Sequence, residues 1–307
     1  MLLPMRVVVT GGVGFVGSHI VEMLTGRGDD LLVVDDLSTG KRSNLSPEIA
    51  LEEMAIGDGR LAEVLARFGP DAMVHAAAQA SVPSSVTDPA HDARINIVDG
   101  LNVMAAAMDA GVSKIVYINT GGALYGEPDY VPCDEDHPIR PISPYGLSKA
   151  TLEAYLGLLL PSAISLVTLR LANVYGPRQD PHGEAGVVAI FTERMMSGRE
   201  ITVFGDGEQT RDFVYVKDVA NAVAAALTIS GRHSVNIGTG VPTRVNEVFR
   251  ALAASTGYGR QPIYASERPG DVRHIYLDVA RAASVLGWRP SVGLDEGLEL
   301  TVESFKA

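Results

Sequence analysis

Short apolar, β-branched runs alternate with longer helical patterns through the first half of the chain. Val7-Val8-Val9, Leu31 to Asp35, Met54-Ala55-Ile56, Met73 to Ala76, Lys114 to Asn119 and Leu166 to Leu171 read as strands. Apolar positions recur at helical spacing from His19 to Leu24, from Ile97 to Met108 and from Tyr145 to Leu160. Strands that are apolar at nearly every position belong in a parallel sheet covered by helices on both faces. The pattern therefore predicts an α/β, doubly wound parallel sheet.

The second half is less regular. Glycine and proline cluster at Tyr175-Gly-Pro-Arg-Gln-Asp-Pro-His-Gly and at Phe204-Gly-Asp-Gly, marking loops. Helical patterns recur near Ala189 to Met196, Val219 to Leu227, Val245 to Ala254 and Asp278 to Leu286. A smaller mixed α/β domain over the carboxyl edge of the first sheet is expected. The division is placed at 1–172 for the first domain, with a return segment near 205–240, and 173–307 for the second. No internal repeat or low-complexity tract is visible.

Composition narrows the function. Of 307 residues, 46% are hydrophobic and 20% charged, as in an ordinary globular protein. A net charge of −12 excludes an extended basic face for nucleic acid. It still allows a few arginines and helix N-termini to hold a small anion. The single cysteine, Cys133, excludes an intrachain disulfide and points to the reducing cytoplasm. It lies in a polar stretch without an activating base nearby and reads as a bystander thiol. No apolar stretch approaches the roughly 20 residues of a membrane span, so neither a membrane nor a nucleic-acid partner is expected. No metal site is predicted.

Thr10-Gly11-Gly12-Val13-Gly14-Phe15-Val16-Gly17 follows the first strand and opens the first helix. Asp35 ends the second strand about 20 residues on, completing a dinucleotide-binding (Rossmann) fingerprint. Gly11 permits the tight turn, Gly14 the approach of a pyrophosphate to the helix N-terminus, and Gly17 close helix packing. Phe15 and Val16 fall in that helix's first turn, beside the same ligand. Asp35 would accept hydrogen bonds from ribose hydroxyls and repel a 2′-phosphate, favouring NAD over NADP. Asp58 and Gly59, after the third strand, are placed at the adenine. Ala76, Ala77 and Ala78 are small enough for a ribose-phosphate to lie against backbone. His75 reads as structural.

Tyr145 and Lys149 stand at i and i+4 on a predicted helix, hence on one face. A phenol, with a reference pKa of about 10, is a poor base at neutral pH. A cationic Lys149 and a positive nicotinamide ring would favour the phenolate. The fifth strand ends nearby in sequence at Asn119-Thr120-Gly121-Gly122.

With these motifs the chain resembles the extended short-chain dehydrogenase/reductase family, specifically its UDP-glucose (UDP-galactose) 4-epimerases. The carriers are the Thr10 to Gly17 run, Thr120-Gly-Gly-Ala-Leu-Tyr-Gly-Glu and Ser143-Pro-Tyr-Gly-Leu-Ser-Lys. Leu171-Ala-Asn-Val-Tyr-Gly-Pro-Arg-Gln-Asp-Pro, Phe204-Gly-Asp-Gly-Glu-Gln-Thr-Arg-Asp-Phe-Val-Tyr-Val, Asn236-Ile-Gly-Thr-Gly, Arg268-Pro-Gly-Asp-Val-Arg and Leu286-Gly-Trp extend it over nearly the whole length. The resemblance implies that Tyr145 takes the sugar hydroxyl proton, that Lys149 binds the nicotinamide ribose and that Asn96 is a further cofactor contact. It implies that Asn173, Arg211, Arg268 and Asp271 hold the UDP moiety, with Arg273 as an extra phosphate contact. Ser81, Val82 and Ser84 are expected along the sugar pocket, and Ile275 at the position that gates N-acetylated sugars. A homodimer is implied as well.

Two departures stand out. Many family members carry a catalytic Ser or Thr four residues before the tyrosine of their Tyr-Gly pair; here that position is Gly121, and Thr120 is expected to supply the hydroxyl. Asp36 follows Asp35 where many relatives have Asn. Related dehydratases and decarboxylases carry a carboxylate where this chain has Gly121-Gly122-Ala123, so the resemblance implies reversible oxidation at C4 of a UDP-hexose. UDP-N-acetylhexosamines remain open as substrates, as does UDP-glucuronate, for which Arg178 is the candidate cation. A non-catalytic NAD-binding regulator is the alternative of another class.

Overall fold

The computed structural model describes residues 3–182, 186–267 and 272–306. The first half lays down Arg6–Thr10 (β1), Asp30–Asp35 (β2), Ala50–Glu53 (β3), Ala72–His75 (β4), Lys114–Thr120 (β5) and Ser165–Leu171 (β6). Asn173–Tyr175 (β7), Thr202–Phe204 (β8) and Thr210–Tyr215 (β9) follow, before Arg232–Ile237 (β10) returns to pair with β6. The result is a seven-stranded sheet in the order β10-β6-β5-β4-β1-β2-β3, parallel at every pairing.

The reason lies in the apolar runs. Val7 and Val9 join the core on one face while Val8 joins the other, and all three are fully buried. Leu31 and Val33 divide from Leu32 and Val34 in the same way. A strand alternates its side chains between two faces, so only a sheet covered on both sides can bury such a run. Phe15–Arg27 (α1) and Val216–Ala226 (α8) cover the first face through Ile20, Leu24, Val219 and Val223. Leu61–Phe68 (α2), Gly100–Asp109 (α5) and Pro144–Leu159 (α6) cover the second through Leu65, Met104, Leu152 and Leu156. Between α2 and α5 the chain runs through Val82–Thr87 (α3), Pro89–Ala93 (α4) and a wider helical turn at Arg94–Asp99.

Strand β3 corrects the expectation at Met54-Ala-Ile. The strand is the less apolar stretch before it, and Met54 supplies only the last rung, donating to the Asp35 carbonyl at 3.0 Å. An edge strand pairs through its backbone and has no need of an apolar run. Met54 and Ile56 are buried, but as side chains tucked under the sheet edge.

The smaller lobe holds β7, β9 and Pro242–Arg244 (β11) in one sheet, and β8 with Ile263–Ala265 (β12) in another. Val187–Met196 (α7), Val245–Thr256 (α9) and Leu294–Ser304 (α10) pack around Tyr175, Phe191, Phe213, Phe249 and Leu298. The last helix is absent from the sequence expectation. Its interior glycine, Gly297, lies so close to Tyr175 that a Cβ there would stand 2.1 Å from the phenol oxygen. No described helix is long and apolar enough to cross a membrane.

Candidate active site

The sheet order reverses between β1 and β4, and ligands of open α/β sheets bind at the carboxyl ends of the strands at such a point. Gly11 turns there with φ +71°, and a Cβ on it would sit 2.6 Å from the backbone nitrogen of Ala77. A Cβ on Gly17 would stand 2.0 Å from the Gly11 carbonyl oxygen. Both positions are therefore closed to any side chain by the protein itself. Gly14, the residue before α1, meets nothing closer than 3.4 Å. Only a ligand lying against that helix start would demand its glycine, and the half-buried Phe15 and Val16 flank the same turn. Ala76, Ala77 and Ala78 keep a half-open backbone beside it. The cradle thus fits a dinucleotide pyrophosphate.

Asp35 ends β2 nearly buried, accepting the Val13 amide at 3.1 Å and the Leu37 amide at 3.0 Å. Burial raises its carboxyl above the usual range while these amides pull it back. Asp36 faces outward and accepts only the Ser38 amide. Asp58 is bound to Arg60, at 2.6 Å and 3.0 Å, and that guanidinium holds its carboxyl at about 2. Gly59 beside it borders open space. Structural His75 is confirmed as buried: it bonds Thr10 Oγ1 at 2.8 Å, stacks on Tyr117, and is pushed down to about 3 by burial.

Helix α6 begins at the Ser143 cap, whose hydroxyl accepts the Gly146 amide. Tyr145 is held at its first turn, its backbone amide donating to the Ser85 hydroxyl at 3.1 Å and its carbonyl accepting from Ser148 at 3.0 Å. Its ring keeps some accessible surface, yet the dense surroundings push the phenol up to about 12. The Thr120 side chain, within hydrogen-bonding reach at the end of β5, pulls it back. A Cβ on Gly121 would stand 2.7 Å from a methyl of Leu277, so a side chain there would require Leu277 to move, and it is the Thr120 side chain that reaches Tyr145.

Lys149 follows one turn later on the same helix. Its ammonium donates to the Ile118 carbonyl at 2.7 Å and lies over the Tyr117 ring at 4.4 Å. It is 4% exposed, and burial pushes it down to about 7, against the raising fields of Asp92 and Glu153. The ammonium is thus seated against the sheet, one helical turn after Tyr145 on α6.

The other expected contact residues already have partners within the chain or lie at the site as follows. Asn96 is buried and its amide is taken up within the chain: Oδ1 accepts from Gln79, and Nδ2 lies near Gln79, Asp92 and Ser148. Arg178 turns to α1, donating to Glu22 at 2.6 Å and Ser18 at 3.3 Å. Arg273 grips Asp206 with two bonds of 2.7 Å and 2.8 Å. Both guanidiniums satisfy a nearby carboxylate before any ligand arrives. Arg211, on β9, donates to the Thr210 carbonyl at 2.9 Å. Asn173 stays at the site, its Oδ1 3.5 Å from where a Cβ of Gly122 would lie. Ser81 caps α3 by accepting the Ser84 amide, with Val82 exposed beside them. Ile275 is buried in the main core, and its amide donates to the Thr210 carbonyl. Arg268 and Asp271 lie outside the described residues.

Ser85, Gln79 and Asp92 escaped the sequence reading. Each is a single polar residue in a short helical or loop stretch, and only the tertiary contact reveals its part.

The NAD dependent epimerase/dehydratase family matches residues 7–238 of the chain. The chain belongs to that family. A UDP-glucose 4-epimerase of Mycolicibacterium smegmatis is 44% identical over 309 residues, spanning 98% of this chain and 99% of that protein. The crystal structure of a Thermotoga maritima UDP-glucose 4-epimerase with UDP-glucose superposes with a TM-score of 0.94 at 47% identity, covering 98% of this chain and 99% of that one. A Thermus thermophilus UDP-glucose 4-epimerase in complex with NAD gives 0.93 at 45% identity, covering 99% of both chains. For a family named for NAD, the Gly11–Gly17 cradle and Asp35 are the parts of this chain suited to the cofactor.

The glycine geometry yields a stability test. Gly17→Ala forces a methyl onto the Gly11 carbonyl and is expected to cost about 1–3 kcal/mol in urea unfolding. Gly26→Ala, in open space on the same helix, is expected to gain about 0.5–1 kcal/mol.

Proposed function

We propose that this protein inverts C4 of a UDP-hexose, with UDP-galactose and UDP-glucose as its substrate pair. One observation carries the reading: Tyr145 meets Thr120 at the end of β5, where Gly121-Gly122-Ala123 offers no carboxylate. Such a site can move a proton to and from an oxygen but lacks a neighbouring acid or base for elimination.

NAD, when bound, supplies a positively charged ring that accepts the C4 hydride and later returns it. Tyr145 removes the C4 hydroxyl proton, and it needs that positive charge because burial holds the phenol near 12. Thr120 orients the phenol through its hydroxyl. Tyr145 returns the proton to the C4 oxygen of the 4-keto sugar, and the face that the sugar presents decides the configuration at C4. Inversion therefore requires the chain to grip the nucleotide while leaving the sugar free to turn. Asn173 and Arg211, with Arg268 and Asp271, are the proposed anchors, and Ser81, Val82 and Ser84 the proposed sugar wall. Residues 1–172 with the α8–β10 return form the proposed NAD domain, and the remainder the UDP-sugar domain.

UDP-glucuronate fits less well, since its candidate cation, Arg178, is engaged by Glu22. A regulator that only senses NAD has no need of a buried Lys149 beneath a hydroxyl-bonded tyrosine. The lone cysteine is buried, with its thiol pushed up to about 11 by burial, which suits a cytoplasmic protein with an inert thiol.

A homodimer is part of the proposal. Leu147, Tyr155 and Leu158 line the outer face of α6 in the open, and Val98 is exposed on the neighbouring helical turn. An apolar stripe of this kind on a helix is suited to packing against its own copy. Sedimentation is expected to give the dimer mass, with Leu158→Glu shifting it to monomer.

The activity test uses purified protein incubated with UDP-galactose, followed by chromatography of the nucleotide sugars. UDP-glucose is expected to form, and Tyr145→Phe to lower kcat by about 10²-fold or more. No conversion even with added NAD, or near-normal turnover in the variant, overturns the reading.

A further inference from the structure

Asp92 lies on α4, outside the residues given a part in the reaction so far, and its residue is only 1% exposed. Its Oδ1 accepts from Gln79 Nε2 at 2.8 Å and from Asn96 Nδ2 at 3.0 Å. Its Oδ2 is buried with no hydrogen-bond partner. Burying a carboxylate with one oxygen unanswered is unfavourable unless a positive charge shares the environment. Lys149 is that charge: Asp92 is the largest influence sustaining its ammonium against burial. The same amide of Asn96 reaches Ser148 Oγ at 3.1 Å, and Ser148 donates to the Tyr145 carbonyl.

We propose that Asp92 is a positioning residue of the reaction: its buried carboxylate supplies the negative charge against which Lys149 is held, and through Asn96 and Ser148 it fixes the turn that carries Tyr145. The proposal rests on the epimerase reading. Lys149 faces Tyr117 and the imidazole of His75 from the sheet, Glu153 from its own helix, and Asp92 from α4. Tyr145 faces Thr120 and Tyr117 from β5 and Asp92 from α4.

The field of Asp92 raises both the ammonium and the phenol, so neutralising it lowers both. Activity needs the phenol to give up its proton, which sets the acid limb, and the lysine to keep its own, which sets the alkaline limb. Removing the negative charge must therefore move both limbs to lower pH together. A merely structural defect reduces the amplitude and leaves the limbs in place.

The test begins with wild-type conversion of UDP-galactose across pH; absence of that activity defeats the epimerase reading and not this one. Asp92→Asn keeps an oxygen for Gln79 and Asn96 while removing the charge. It is expected to lower kcat about tenfold at neutral pH with KM within about twofold, and to shift both limbs down by roughly half to one unit. Should that variant not fold, Asp92→Ser removes the charge with less bulk and carries the same expectation. A profile fixed in position, or a shift of one limb only, overturns the proposal.

Discussion

A lysine ammonium lies in the seam between β5 and α6, and much of the molecule is arranged around that one buried charge. A cation removed from water is costly unless polar or negative groups meet it closely. The Ile118 carbonyl and the Tyr117 ring meet Lys149 from the sheet. Asp92 and Glu153 add negative field from two helices. Each answer then raises its own requirement. Glu153 is itself nearly buried and is bound by Arg170 at 2.7 Å, Asn119 at 2.5 Å and Ser234 at 2.8 Å. Arg170 in turn donates to the Tyr125 hydroxyl, which donates to Asn236 at 2.7 Å.

That chain of contacts explains why the sheet is completed by a strand from so far along the sequence. Ser234 and Asn236 both belong to β10, so the network beneath the catalytic helix is not closed until residue 236 arrives. Two carboxylates secure the crossing between lobes. Asp212 accepts from Thr239 twice, from Gly240 and from Leu277. Asp218, opening α8, accepts from Ser291 and Val292, while its carbonyl takes the Trp288 indole N–H. A smaller lobe tied back in this way keeps a fixed height over the strand ends, and positioned proton transfer requires such fixed geometry.

The main sheet was legible because its strands are buried on both faces and so cannot hide their apolar runs. The glycine turn was legible for a different reason, since backbone contacts of 2.0 Å and 2.6 Å leave no alternative residue at Gly17 and Gly11. Strand β3 was misplaced because an edge strand needs few apolar side chains. Helix α10 was missed because acidic residues and a close-packed Gly297 dilute its apolar stripe. The arginines show a different limit. Sequence gives a guanidinium its charge but not its partner, and Arg178 and Arg273 each found a carboxylate within the chain, Glu22 and Asp206. Asp92 was invisible for the converse reason: its significance lies wholly in Gln79, Asn96 and Lys149, brought to it from three other segments.

The Thr120-Gly121-Gly122 run shows how packing decides chemistry at a single strand end. The Gly121 amide still bonds the Leu171 carbonyl at 2.6 Å, so β5 and β6 stay paired one residue past the strand. A Cβ on Gly121 would meet a methyl of Leu277 at 2.7 Å, so a side chain there would require Leu277 to move. The hydroxyl comes from one residue earlier, where Thr120 also accepts the Ala123 amide at 3.1 Å and is fixed by it. Beyond it Gly122 opens toward Asn173 with room for a Cβ, and the chain leaves that room empty. The strand end thus grants a hydroxyl beside Tyr145 and carries no carboxylate from Gly121 to Ala123. An oxidised sugar formed there meets the Tyr145 phenol and finds no carboxylate on that strand end to drive it onward to elimination.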